Sequence, residues 1–190
     1  MSTNFLSLPP EIRCEIYKYL LVHKGYFCLF YRGGDQELAS NILCTNKMIF
    51  NEARSLLYGH NRFDFTTCKS DFVFQFLDQI GRHNASYIRY MRIEFPYLCD
   101  LDSERLILEY GIFRILAKIQ SDCTNLRTAM RFNHHPLSNS FHLDDLLTRI
   151  ATYLEKIHSR HEIIGEIYED SGSAIMKREM EHRGWAVNVI

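Results

Sequence analysis

The sequence has almost no net charge and no long apolar run, and each absence removes a class of protein. Its 22 Lys and Arg residues nearly balance 23 Asp and Glu residues, leaving a formal net charge of −1. This balance gives no electrostatic reason to expect a nucleic acid or an anionic membrane as partner. No stretch approaches the roughly 18 apolar residues of a transmembrane helix, and the first residues lack the pattern of a signal peptide. We therefore expect a cytoplasmic or nuclear protein.

Motifs for metal binding and covalent catalysis are missing as well. No CxxC pair occurs among the six cysteines, which we expect to be mostly buried thiols: Cys14, Cys28, Cys44, Cys68, Cys99 and Cys123. His158 and His161 form an HxxH pair, but Glu162 follows the pair and is not placed inside it as in the HExxH motif. GxSxG and phosphate-loop motifs are absent. The sequence thus predicts no catalytic residue, no metal site and no cofactor, and we expect a protein that is not an enzyme.

Hydrophobic periodicity predicts a helix-rich α+β fold. Apolar residues at helical spacing indicate helices near residues 9–22, 40–58, 71–80, 104–120, 144–158 and 174–183. Short apolar or alternating runs indicate strands near residues 26–31, 63–65, 88–95, 126–132 and 185–190, the first turning at Gly33-Gly34 in what resembles a hairpin. Two of these strands begin about 38 residues apart, each after a helix. This interval fits either a degenerate solenoid or an ordinary α+β layer.

One short segment mixes arginine and tyrosine, as RNA-binding surfaces do: Arg82, Tyr87, Arg89, Tyr90 and Arg92. Strand alternation sends Arg89 and Arg92 to opposite faces of the sheet. We therefore interpret these arginines as solvated or sheet-edge residues and expect no nucleic-acid partner.

The acidic segment 169–173 is the other polar feature with a functional interpretation. Its composition is typical of an exposed turn. Phosphorylation of Ser171 within it is left open by the sequence.

The first predicted helix is apolar over more than one face. One stripe recurs at four-residue spacing and consists of Leu8, Ile12, Ile16 and Leu20, with Tyr19 alongside. A second stripe consists of Cys14, Tyr17 and Leu21. A helix of this kind is either buried on all sides or packs in a groove of another protein.

The same residues carry a resemblance to a known family. The run Leu8-Pro9-Pro10-Glu11-Ile12, continued by Ile16 and Leu20, is similar to the first helix of an F-box, with the spacing LPxE[LI]xxxIxxxL. The stretch ILCTNKMIFNEARSLLYGHNRFDF resembles the corresponding second helix of fungal F-box-like proteins. The segment FLDQIGRHNASYIRYMRIEF resembles the part that follows there, so the resemblance covers about residues 5–95.

This resemblance implies a fold and a function. It implies an F-box-like helical lobe at residues 1–65, with an inserted aromatic strand or hairpin, packed on helix–strand, leucine-rich-repeat-like units at residues 66–190. F-box domains bind the Skp adaptor of SCF-type, cullin-containing ubiquitin ligases, and the rest of the chain captures a protein substrate. The residues implied to face Skp are Leu8, Pro9, Pro10, Ile12, Ile16 and Leu20.

Two departures from the family pattern leave alternatives open. The segment between Val22 and Ser40 is longer than the F-box connection, and Asn46 stands where relatives often have cysteine. The aromatic run within this segment would make the first helix wholly internal if it covered that helix. The chain would then be a stand-alone protein-interaction module with no link to ubiquitin.

Overall fold

The computed structural model of the chain describes residues 4–28, 38–68, 70–95, 110–132, 140–155, 164–167 and 173–189. Within these ranges six α-helices alternate with six strands: α1 (Pro10–Leu21), β1 (Tyr26–Phe27), α2 (Lys47–His60), β2 (Arg62–Asp64), α3 (Ser70–Ala85), β3 (Tyr90–Phe95), α4 (Tyr110–Asp122), β4 (Arg127–Phe132), α5 (Ser140–Leu154), β5 (Ile164–Ile167), α6 (Ser173–His182) and β6 (Ala186–Val189). Short 3-10 helices precede α1 and α2, at Phe5–Ser7 and Ser40–Cys44. The expectation of a helix-rich α+β fold is confirmed.

The six strands form one parallel sheet in which they follow each other in chain order. A helix connects each strand to the next, and right-handed crossovers place such helices on the same face of the sheet. Along that face α3 contacts α4, α4 contacts α5, and α5 contacts α6. This is the order of a solenoid of helix–strand units, in which each unit packs mainly on its neighbours.

Strand β5 has no counterpart among the predicted strands. Gly165 and Glu166 interrupt the apolar pattern of its four residues, so no strand periodicity is visible in the sequence. Packing explains the glycine, because a Cβ at residue 165 would lie 2.6 Å from the sulfur of Met180 in α6. Strand β5 therefore lies close beneath α6.

The predicted helix at residues 40–58 is divided in the structure. Asn46 is extended, with φ −157° and ψ 140°, and its Oδ1 accepts a hydrogen bond from the Met48 N–H at 2.7 Å. This N-cap starts α2 at Lys47. Gly59, expected to end the helix, lies inside it, and a Cβ there would approach the Tyr87 carbonyl to 3.2 Å. Likewise, Gly81 kinks α3 with φ +74° and does not end it.

The buried apolar side chains fall into two clusters. The smaller one lies between α1 and α2 and consists of Tyr17, Leu21, Ile49, Ala53, Leu56 and Leu57. The larger one lies between the sheet and helices α3 to α6 and begins at Phe63. Tyr58 packs against both clusters. The sheet continues across residue 65, since β2 pairs with β3, and the division into lobes at that residue stays a prediction.

The described part of the aromatic run packs on the sheet. Tyr26–Phe27 forms β1, which pairs with β2, and the Phe27 ring lies edge-on to Phe63 with centroids 6.2 Å apart. Residues 29–37, which include the rest of the predicted hairpin, lie outside the described residues.

A single buried amide ties the ends of α1 and α2 together. Asn61 has no exposed surface, and its Nδ2 donates to the carbonyl oxygens of Leu21 at 2.6 Å and Leu57 at 2.8 Å. Its Oδ1 accepts from the His23 N–H at 2.8 Å. All three partners are backbone groups, so the chain just before β1 is held beside the chain just before β2.

Asn61→Ala should therefore destabilise the fold. The change leaves three backbone groups without their partner, and we expect the free energy of unfolding to fall by about 3 kcal/mol. Urea denaturation measures the loss. Asn51→Ala is the matched control, since Asn51 is exposed on α2, and its effect should stay within about 0.5 kcal/mol. Equal losses in the two variants would contradict the role given to Asn61.

Candidate partner-binding surface on the first helix

The sequence at the start of α1 fixes where the helix begins. Pro9 is extended, with φ −52° and ψ 144°, and Pro10 occupies the first turn, where the missing N–H costs no helical hydrogen bond. Glu11 lies beside the positive end of the helix dipole and Lys18 in the last turn. The helix ends at Leu21, since Val22 is extended.

The face of α1 that packs on α2 carries Arg13, Tyr17 and Leu21, which are all buried. Two of them belong to the second stripe predicted from the sequence. The third, Arg13, is a charged residue that hydrophobic periodicity does not select. Its spacing of four from Tyr17 is the one signal in the sequence that places it on this face.

Arg13 and Glu52 form the polar centre of the contact between the two helices. The guanidinium donates to the Glu52 carboxylate from Nε at 3.0 Å and from Nη2 at 2.6 Å. Its Nη1 donates to the carbonyl oxygens of Leu8 at 2.5 Å and Leu6 at 3.2 Å. The Tyr17 hydroxyl donates to the same carboxylate at 2.9 Å. A two-pronged arginine–carboxylate pair fixes both distance and orientation, so it sets the rotation of α1 on α2.

The pKa values of this network move as its hydrogen bonds dictate. The hydrogen bonds from Arg13 lower the pKa of Glu52, with a further contribution from the Tyr17 hydroxyl. Burial raises the pKa of Tyr17 to about 12, and the hydrogen bond to Glu52 acts in the same direction. Each group is therefore held in the protonation state that the network needs.

This rotation leaves an apolar face of α1 at the surface. Ile12 is 49% exposed and Tyr19 is 88% exposed, while Pro9 and Pro10 are also exposed. The remaining residues implied to face Skp, Leu8, Ile16 and Leu20, are half-buried. The helix is therefore not wholly internal. A third face carries Glu11 and the Glu15–Lys18 ion pair, whose atoms are 2.7 Å apart.

Burial makes two of the described thiols harder to ionise. Cys123 is buried, and burial raises its pKa to about 12, so the reactive thiolate is suppressed. Burial also raises the pKa of Cys68. The expectation that the cysteines are mostly buried is wrong for Cys44, which is exposed, and for Cys14, Cys28 and Cys68, which are half-buried. Cys99 lies outside the described residues.

No group of three or more His, Cys, Asp or Glu side chains is placed to hold a metal ion within the described ranges. The HxxH pair of His158 and His161 lies outside these ranges, as does Ser171. None of the helices in the described part is long and apolar enough to cross a membrane.

The interpretation of the arginines in segment 82–92 as solvated or sheet-edge residues is wrong for Arg92, because a central strand carries it and two carboxylates neutralise it. Arg92 lies on β3, pairs with Glu166 and with Asp64 at 3.5 Å, and is mostly buried. Arg89 is exposed and lines a surface cavity with Arg127, which follows α4. Sequence reasoning did not select Arg127, because its position beside Tyr90 depends on the parallel register of β3 and β4.

Comparisons with models of known protein families, with characterised proteins and with solved structures give no match to this chain. They therefore assign no function to the exposed apolar face of α1.

The pH dependence of stability should reveal the Arg13–Glu52–Tyr17 network. Because folding lowers the pKa of Glu52 below its usual value of 4.5, the stability it contributes is present above that pH and is lost as pH falls through the folded pKa. Because folding raises the pKa of Tyr17 from 10.0 to about 12, its contribution is present below pH 10.0 and is lost as pH rises towards about 12.

Urea denaturation across pH tests both limbs. Glu52→Gln should flatten the acid limb, and Tyr17→Phe should flatten the alkaline limb. Glu15→Gln is the control on the same helix, since Glu15 pairs with Lys18 at the exposed surface, and such pairs contribute little. A control variant that changed the acid limb as much as Glu52→Gln does would contradict this account.

Proposed function

We propose that this chain is a non-enzymatic, F-box-like adaptor that binds the Skp subunit of an SCF-type, cullin-containing ubiquitin ligase and brings a protein substrate to it. The exposed apolar face of α1 supports the proposal. It consists of Pro9, Pro10, Ile12 and Tyr19, with Leu8, Ile16 and Leu20 at its half-buried edge. We call this set the α1 surface.

The α1 surface has the composition of a protein-binding site. Prolines, isoleucines, leucines and a tyrosine are adjacent on one helix and the turn before it, and protein interfaces are depleted of charge at their centre. An apolar helical face of this kind packs in a groove of another protein. The nearest charges, Glu11, Glu15 and Lys18, belong to the third face of the same helix, where they are suited to a polar rim.

The internal network supports the proposal in a second way. Arg13, Tyr17 and Glu52 hold α1 against α2 without using Ile12 or Tyr19. The α1 surface is therefore rigid before any partner binds, which lowers the entropy lost on association. The resemblance to F-box helices then suggests Skp as the partner and the cytoplasm or nucleus as the compartment.

Replacing Ile12 by aspartate should break the complex. Ile12 is half exposed, so the change should leave the fold intact while placing a charge at the centre of the interface. We expect binding to purified Skp to weaken by roughly tenfold to hundredfold, measured by calorimetry or by co-purification. Ile16→Asp should have the same effect, but Ile16 is half-buried and this variant needs a check of folding by circular dichroism.

Gln75→Asp is the matched control for the new charge. Gln75 is exposed on α3, away from the α1 surface, so Skp binding should be unchanged. Wild-type protein that fails to bind Skp, or a folded Ile12→Asp variant that binds as wild type does, would contradict the proposal.

A stand-alone protein-interaction module is the second candidate, and the sheet favours it. The sheet face opposite the helices carries the exposed Arg62, and solenoids commonly bind ligands on extended surfaces of this kind. Protein that binds a partner through this face, and has no measurable affinity for Skp, would favour this function.

A further inference from the structure

A row of alternating tyrosine and arginine crosses the beginning of the sheet. The parallel register places Tyr26 opposite Arg62, Arg62 opposite Tyr90, and Tyr90 opposite Arg127. Residues opposite each other in adjacent strands point to the same face. The Arg62 guanidinium lies over the Tyr90 ring at 5.4 Å from its centroid. The first row of the sheet is thus cationic and aromatic over four strands.

A cavity of about 630 Å³ opens beside this row, between the end of α2 and the starts of β3 and β4. Two arginines line it, Arg89 and Arg127, and their strands are joined by a hydrogen bond from the Arg127 N–H to the Arg89 carbonyl. The cavity is also lined by Ser55, His60, Tyr87 and Tyr90. We call this space the Arg89–Arg127 cavity.

The charges of the cavity are of one sign. No Asp or Glu is among its lining residues. Neither Arg89 nor Arg127 forms an ion pair with a carboxylate in the part of the chain that the structure describes. Arg92, two residues beyond Tyr90, is by contrast paired with Glu166 and Asp64. The protein therefore neutralises the arginine inside its sheet and leaves the two at the cavity to an outside anion.

The cavity is also rich in hydrogen-bond donors. Each guanidinium presents a planar set of N–H groups that matches two oxygens of one anion. The Tyr90 hydroxyl adds one donor, while the hydroxyl groups of Ser55 and Tyr87 are bonded to the Glu52 carbonyl at 3.4 Å and to His83 Nε2 at 3.2 Å. The carbonyl end of α2 also lies here, but Asn61 donates to the Leu57 carbonyl and so satisfies one of its free acceptors.

We propose that the Arg89–Arg127 cavity binds a phosphate monoester. A monoester dianion offers three terminal oxygens, which suits two arginines and the Tyr90 hydroxyl better than the two oxygens of a carboxylate do. The volume lies within the range of ligand pockets and leaves room for the group that carries the phosphate. Nucleic acid is disfavoured as a ligand, because the chain has a net charge of −1 and the cationic patch is confined to the end of the sheet where the strands begin.

The monoester has two chemical sources, a phosphorylated serine or threonine of another protein and a free small phosphate. This inference rests on the cavity alone, and it stands whether or not the α1 surface binds Skp. In an adaptor, the first source would place substrate recognition in this cavity, which has no lining residue on α1.

Titration of the ¹⁵N-labelled protein by NMR tests the proposal. The probes are inorganic phosphate, O-phosphoserine, and a short peptide in three forms that carry phosphoserine, serine or glutamate at the central position. We expect saturable shifts of the Arg89 and Arg127 Nε–H signals with the phosphorylated probes only. The double variant Arg89→Gln/Arg127→Gln should weaken their binding at least tenfold, since it removes both charged donors.

Two further variants separate a site from general attraction. Arg127→Lys keeps the charge but loses the paired N–H groups, so it should weaken binding by several-fold. Arg82→Gln removes an exposed arginine that does not line the cavity, and binding should be unchanged. Tighter binding of the phosphopeptide than of O-phosphoserine identifies a protein ligand, and the reverse order identifies a small phosphate.

Several outcomes would overturn the proposal. Shifts that never saturate, or an equal loss of affinity in Arg82→Gln, would mean that phosphate meets only the general field of the protein. A glutamate peptide that binds as tightly as the phosphopeptide would show a carboxylate site. Single-stranded RNA that shifts the same signals and competes more strongly than the phosphopeptide would show a nucleic-acid surface.

Discussion

The charge of Arg13 must be neutralised inside the protein, and much of the N-terminal half follows from that requirement. A buried guanidinium is costly without a hydrogen-bonded partner of opposite charge. Glu52 supplies that partner, while the carbonyl groups of Leu6 and Leu8 use the remaining donors. The pair allows one rotation of α1 on α2. Tyr17 and Leu21 are then buried, and Ile12 and Tyr19 are left outside.

The pairing of buried polar groups also determines how the chain is arranged between the two apolar clusters. Asn61, the residue after α2, bonds backbone groups of Leu21, His23 and Leu57, and Gly59 allows the Tyr87 carbonyl to approach. The end of α2 is therefore held close to the start of β3, which is where the Arg89–Arg127 cavity forms. The α1 surface and the cavity lie on elements that α2 connects, and they are the two places where we propose that a ligand binds.

The sequence allows the kinds of element to be predicted better than their arrangement. Strong helical periods identify α3, α4 and α5, and alternation identifies β3, because these signals depend only on which side chains face the core. The boundaries at Asn46 and Gly59 depend on capping and close approach, which hydrophobic patterns do not report. Strand β5 cannot be recognised from hydrophobic periodicity, because close packing against Met180 requires a glycine at position 165. The sequence predicts two apolar faces of α1. It does not predict which of them is buried, because the pairing of Arg13 with Glu52 determines that. Arg127 could not be assigned to the cavity from the sequence, because its position depends on the register of β4 on β3.

The chain order of the strands has a consequence for motion. Every unit of the sheet rests on the unit before and the unit after it, and helices α3 to α6 touch in the same succession. Structures built in this way unfold stepwise from an end, because breaking the contact between two neighbouring units leaves the other contacts intact. Amide exchange should accordingly be graded along the chain, with the slowest rates in β3 and β4, the two central strands of the six. A ligand that spans several strands would hold them together, and it would also slow the separation of neighbouring strands that it does not contact.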